Sequence, residues 1–157
     1  MNAFVGFMIL VFGVALIYNS PFANSESCCQ TTHRVIPDSQ DVIDVAWTIY
    51  NEAKGETYHG KCAVATVIYN RAMTKRKTYQ AIVKEPNQFA YFEPSDDIDN
   101  TYYDQCLFLS RKMHNGKFEP LDNWNCFFNP DKCTPYWYKT MTNKSIIDHH
   151  LFGVIRL

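Results

Sequence analysis

The stretch "VIDVAWTIYNEAKGE", Val42 to Glu56, carries apolar residues at Val42, Val45, Ala46, Ile49, Tyr50 and Ala53. This is the i, i+3, i+4, i+7, i+8, i+11 spacing of a single helical face. Asp38 or Ser39 can cap the start of this helix, and Gly55 can end it. Two carboxylates, Glu52 and Glu56, fall at that end. Glu52 follows Ile49 by three positions and Val45 by seven, so it projects from the margin of the buried face. In a last helical turn the unsatisfied carbonyls and the negative end of the helix dipole favour a neutral carboxyl, and partial burial acts in the same direction. A carboxyl that keeps its proton near neutral pH is what a general acid for glycosidic cleavage requires. Gly55 turns the chain before Glu56, so the two acids are not expected to share a face. Glu56 is expected to support the turn or to remain in water.

Working outward, Thr57 is a cap for a second helix containing "KCAVATVIYNRAM", Lys61 to Met73. That segment is apolar around nearly its whole circumference and belongs in the middle of a small domain. Thr78 to Lys84 forms a short third helix stopped by Pro86. Tyr102, Tyr103, Cys106, Leu107, Ser110 and Met113 mark a fourth, ended by Asn115-Gly116. Beyond Phe118, "NWNCFFNPDKCTPYWYK" mixes aromatics with turn formers, and "SIIDHHLFGVIRL" alternates in short β-like runs. The expected fold class is α+β, predominantly helical, with a small C-terminal antiparallel sheet.

The 157 residues have room for one compact domain. With 46% hydrophobic residues and 15% aromatics the chain can build a core. Lys and Arg number 15 against 16 Asp and Glu. No basic stripe of the kind that grips nucleic acid is present, so nucleic acid is excluded as an expected partner. The uncharged run "AFVGFMILVFGVALIY", residues 3–18, precedes "NSPFANSES". Residues 1–25 therefore read as a signal peptide or a membrane anchor. Residues 26–38 read as a linker and residues 39–157 as the domain. Both leader readings imply export to the periplasm or cell envelope.

Six cysteines agree with export. Cys126 and Cys133 are expected to pair, because Asn129-Pro130-Asp131 lets the chain between them close a tight loop. Cys62 and Cys106 either bridge two helices or are buried thiols. His114, His149, His150 and the cysteines form no Cys-x-x-Cys or His-x-x-x-His arrangement, so no metal and no cofactor is expected.

The segment "IYNEAKGETYHGKCAVATVIYNRA" followed by Asn87-Gln88-Phe89 resembles the opening of the spore cortex-lytic enzyme family of cell-wall hydrolases. The pattern continues in order with Phe127-Phe128-Asn129-Pro130, Trp137, and His150 to Phe152, so the resemblance runs from about Val42 to Phe152. It implies a fold similar to lysozymes and lytic transglycosylases, with peptidoglycan as the partner and no cofactor. The implied reaction is cleavage between N-acetylmuramic acid and N-acetylglucosamine, with Glu52 as the catalytic acid. In the transglycosylase route the nucleophile is the muramoyl C6 hydroxyl, so no second carboxylate at fixed separation is needed. Arg71 is a candidate to pair with Glu56 or to cap its own helix. Gln88 and Phe89 are candidates to line the sugar groove, and Phe128, Asn129 and Trp137, with Tyr91 and Tyr138, are candidate groove residues. His150 is a candidate to orient substrate or an acid.

The sequence departs from the family pattern at Asn51, where a glycine is usual, at Lys54, which stands for an arginine, and at Ala90. Substrate preference and cortex specificity therefore do not follow, and a general wall-cleaving or phage lysis role is an equal reading. A hydrolytic muramidase, an amidase of the peptide stem and a non-catalytic wall-binding module remain alternatives. The expected state is a monomer.

Overall fold

In the computed structural model, which describes residues 38–89 and 98–156, Ser39 opens the first helix by accepting a hydrogen bond from Val42 N at 3.4 Å. This helix, α1, spans Gln40–Glu52 and is followed by α2 (Tyr58–Lys75), α3 (Tyr79–Val83) and α4 (Asn100–His114). Thr57, Thr78 and Asp99 cap the last three, so each of these four helices begins on a Ser, Thr or Asp side chain. The expected leader, linker and anchor, and Tyr91, lie outside the described residues. No described helix is long and apolar enough to cross a membrane.

The helices bury one continuous core. Val45 and Ile49 of α1, with Ala53 just after it, meet Val64, Val67 and Ile68 of α2 and Cys106, Leu109 and Met113 of α4. The middle of α2 is enclosed from Ala63 to Ile68, and even Lys61 is 1% exposed. Lys61 Nζ donates to Gln105 Oε1 at 2.8 Å and sits 2.9 Å over the centre of the Tyr102 ring. Burial holds this lysine below its ordinary pKa.

The polypeptide after α4 forms β1 (Cys126–Phe128), a 3₁₀ turn at Tyr136–Thr140, β2 (Thr142–Ile147) and β3 (His150–Val154). The strands make an antiparallel sheet in the order β1-β3-β2, with Phe127 opposite Phe152 and Ile147 opposite His150. The fold is thus the expected α+β arrangement of helices followed by a small sheet. Asp148 and His149 alone connect β2 to β3, and Asp148 adopts φ +50°, as such a tight hairpin demands.

The expected Cys126–Cys133 bridge is not formed. Cys126 is buried in β1 among Phe128, Met141 and Leu151 and donates to Gly153 O at 3.3 Å, whereas Cys133 is exposed in the turn beyond it. The inward pleat of the strand, rather than the loop length, sets the direction of the Cys126 thiol. Burial pushes it up to about 11, against the nearby Arg71 charge. Cys62 and Cys106 are also free thiols, and burial pushes Cys106 up to about 12.

Sheet and helices meet where the Asp148 turn seats on α2. A Cβ at Gly60 would lie 2.8 Å from Glu56 Cβ and would collide with Asp148 Oδ2. Ala is ordinarily the better helix former, so the sign of Gly60→Ala is decided by this contact. The substitution is expected to destabilise the protein by about 1–3 kcal/mol, read as a lower midpoint in urea unfolding.

Candidate active site

Glu52 is the last residue of α1, and the chain turns after it through Gly55 at φ +87°. Ala53 N donates to Ile49 O and Glu56 N donates to Ala53 O, both at 2.9 Å, which closes the helix and tightens the turn. From α4 the Tyr102 hydroxyl is directed at the carbonyls of Ala53, at 2.8 Å, and Glu56. Desolvation of this phenol, with the Cys106 and Glu56 charges adding to it, pushes Tyr102 up to about 12, so it remains a hydrogen-bond donor.

Glu56 is not solvated; it is 6% exposed. His149 Nδ1 and His150 Nδ1 approach its Oε1 at 3.3 and 3.2 Å, and His149 N donates to its Oε2 at 3.3 Å. A buried carboxylate needs such donors, and both histidines reach it from the β2–β3 turn. Burial, with the charges of Lys132 and His149 acting in the same sense, holds His150 below its ordinary pKa although Glu56 opposes the shift.

The turn is held in place by Asp148. Its Oδ2 accepts from Thr57 N at 3.0 Å and from Thr57 Oγ1 at 2.8 Å, at the start of α2. Burial would raise the Asp148 carboxyl, but the Thr57 hydrogen bonds, a hydrogen bond with Glu56 and the His149 charge outweigh it and hold it below the usual carboxylate value.

These contacts frame an open cleft of 660 Å³. Of the residues singled out in the sequence, it gathers Glu52, Glu56, Asn129 and His150. Asn51, Lys54, Lys132 and His149 complete its lining, and all four were missed as site residues. A hairpin signal was available for His149, since a two-residue step separates two β-like runs there. Asn129 fixes its own turn by accepting from Asp131 N at 2.9 Å through Oδ1, and Lys132 N donates to Asn129 O at 3.1 Å.

The remaining candidates lie elsewhere. Arg71 does not pair with Glu56. It donates through Nε to Asn125 O at 2.6 Å and through Nη1 to Gln88 Oε1 at 3.0 Å, with its guanidinium 5.1 Å from the Phe89 ring centre. Burial lowers its pKa, while Cys126, Glu85 and Glu52 act against that shift, so Arg71 and Glu52 share a field. Gln88 and Phe89 therefore brace this arginine, and neither lines the cleft. Phe128, at the end of β1, is buried with Cys126, Met141 and Leu151 in a second small core, against which the half-buried Trp137 and Tyr138 pack edge-on at 5.5 and 5.6 Å between ring centres, and none of the three rings lines the cleft. Among the described residues, no group of three or more His, Cys, Asp or Glu side chains is arranged to hold a metal ion.

A family model described as Cell Wall Hydrolase matches residues 55–153, more than half of the chain. The chain belongs to this cell wall hydrolase family. Glu52 stands three positions ahead of the matched span. The spore cortex-lytic enzyme of Oceanobacillus iheyensis is 31% identical over 121 residues, which is 71% of this chain and 41% of that enzyme. Its counterpart in Bacillus subtilis is 27% identical over 123 residues, covering 73% of this chain and 37% of that enzyme. The chain thus spans about two fifths of the length of the curated relatives it matches. Among solved structures, the catalytic domain of the germination-specific lytic transglycosylase SleB from Bacillus anthracis superposes with a TM-score of 0.58 at 29% identity, covering 76% of this chain and all of that one. The Bacillus cereus SleB catalytic domain gives 0.57 at the same identity, covering 95% of that chain.

Asp148→Ala removes the acceptor at the start of α2 and is expected to cost about 0.5–1 kcal/mol near neutral pH, at the low end for a cap because the group faces solvent. The carboxyl is depressed in the fold, so its contribution is present above the ordinary carboxylate range and is lost as pH falls through it. Urea midpoints of wild type and variant should converge in acid.

Proposed function

We propose that this domain cleaves the glycan strand of peptidoglycan between N-acetylmuramic acid and N-acetylglucosamine, with Glu52 as the catalytic acid. The observation that carries this reading is the position of Glu52, at the carbonyl end of α1 and on the wall of a cleft that also gathers Glu56, Asn129 and His150. Membership of the cell wall hydrolase family and similarity to a catalytic domain described as a lytic transglycosylase support the substrate and the reaction.

In this mechanism Glu52 protonates the leaving glycosidic oxygen. Its carboxylate then takes the proton of the muramoyl C6 hydroxyl as that oxygen attacks the anomeric carbon, leaving a 1,6-anhydro end and restoring the acid. Asn129 and His150, which line the same cleft, contact the sugars. Arg71 steadies the field around Glu52 from behind. The domain acts on the wall as an exported monomer in the periplasm or envelope, and the apolar run at residues 3–18 serves as its export signal or anchor.

Glu52→Gln is expected to lower wall cleavage by roughly 10²–10⁴-fold, the span typical of a lost general acid, with an unchanged circular dichroism spectrum. Mass spectrometry of muropeptides from digested sacculi reads the reaction. Anhydro ends support transglycosylation, reducing ends alone a muramidase, freed stem peptides an amidase, and intact sacculi a wall-binding module. A Glu52→Gln variant with full activity refutes the assignment of the acid.

A further inference from the structure

The reaction above leaves the Glu56–His149 pair without a task. His149 Nδ1 lies 3.3 Å from Glu56 Oε1 and donates to that oxygen. In the neutral ring this leaves Nε2 with a free lone pair. The His149 side chain is 68% exposed and lines the same cleft as Glu52, whereas the Glu56 side chain behind it is 5% exposed. His150 cannot share this role. Its side chain is 14% exposed and packs edge-on against Phe127, 5.4 Å between ring centres. A buried carboxylate that sets the tautomer of an exposed imidazole is the arrangement by which proteins make a histidine a proton acceptor. The charged and titratable groups around His149 are Glu56 behind it, Asp148 and His150 beside it in the chain, and Glu52, Lys54 and Lys132 in the lining of the same cleft.

We propose that Glu56 and His149 form a second proton-accepting pair in this cleft, which activates water at the cleaved sugar, so that the domain produces hydrolysed ends alongside anhydro ends. This rests on the glycan-cleaving reading above. In the water branch Glu52 protonates the leaving oxygen, a water oxygen bonds to the anomeric carbon, and the water proton passes to His149 Nε2. The imidazolium, stabilised by the Glu56 carboxylate, returns that proton through solvent to the Glu52 carboxylate. The net change is one glycosidic bond and one water consumed and two hydroxyls formed, with no other reactant.

The experiment digests purified sacculi with the wild-type full chain and with His149→Ala, His149→Gln and Glu56→Gln, and measures the ratio of reducing to 1,6-anhydro muramic acid ends by mass spectrometry. Wild type is expected to yield both ends. His149→Ala and His149→Gln are expected to lower the ratio by roughly tenfold or more, since glutamine can hold a hydrogen bond but cannot carry the proton. Glu56→Gln lowers it in the same direction. Because Glu56 is buried and its variant can fail to fold, the exposed His149 variants, checked by thermal unfolding, carry the decision. Only anhydro ends from wild type, or an unchanged ratio in His149→Ala, overturns the proposal and leaves the glycan-cleaving reading intact. No glycan cleavage by wild type overturns both.

Discussion

The two hydrogen bonds that Thr57 gives to Asp148 join positions 91 residues apart and hold the helices and the sheet in register at the cleft. The first turn of any helix leaves backbone N–H groups without partners. Here the Thr57 side chain serves Gly60 N, and Asp148 serves Thr57 itself, so the start of α2 is completed only when the β2–β3 turn arrives. Once Asp148 is seated, the next two residues have little choice of place. His149 and His150 fall against Glu56, which could not otherwise stay buried as an acid. The bare backbone of Gly60 makes the approach close enough.

A second constraint acts from the other side of the same turn. Tyr102 reaches from α4 to the carbonyls of Ala53 and Glu56, which lie just beyond the last α1 residue. The Tyr102 ring is itself covered by the buried Lys61 ammonium, so one aromatic side chain serves both the helix core and the turn after α1. Glu52 therefore sits at a junction braced by α4 on one flank and by the hairpin on the other. Arg71, bonded to Asn125 O, extends the bracing to the segment that enters β1.

The helices were legible because each carries a local code: an apolar face with helical spacing and a capping side chain at its start. Val42 to Ala53 and Lys61 to Met73 needed no distant partner to be read. The aromatic residues after Phe118 were not legible in the same way. Phe128 has the chemistry of a sugar platform and the chemistry of a core, and only the direction of a strand pleat separates the two. The same pleat turned Cys126 inward, so a spacing well suited to a disulfide produced two unpaired thiols. Arg71 offered several partners within reach of a long side chain, and packing against Phe89 and Gln88 selected among them.

Local sequence alone determined the helical elements, the glycine turn after α1 and the place of Glu52 at a helix end, since these depend on neighbours within a few residues. The motif order from Glu52 to Phe152 also pointed to the family, because ordered motifs are a property of the chain. The tertiary structure decided which groups share the cleft with Glu52. Glu56, whose sequence allowed either a supporting or a solvated place, is a buried carboxylate with His149 as its exposed partner, because a two-residue hairpin turn docks on the α2 N-terminus. No pattern within either segment encodes that meeting. It follows from unsatisfied N–H groups at one end of the chain finding their acceptor at the other.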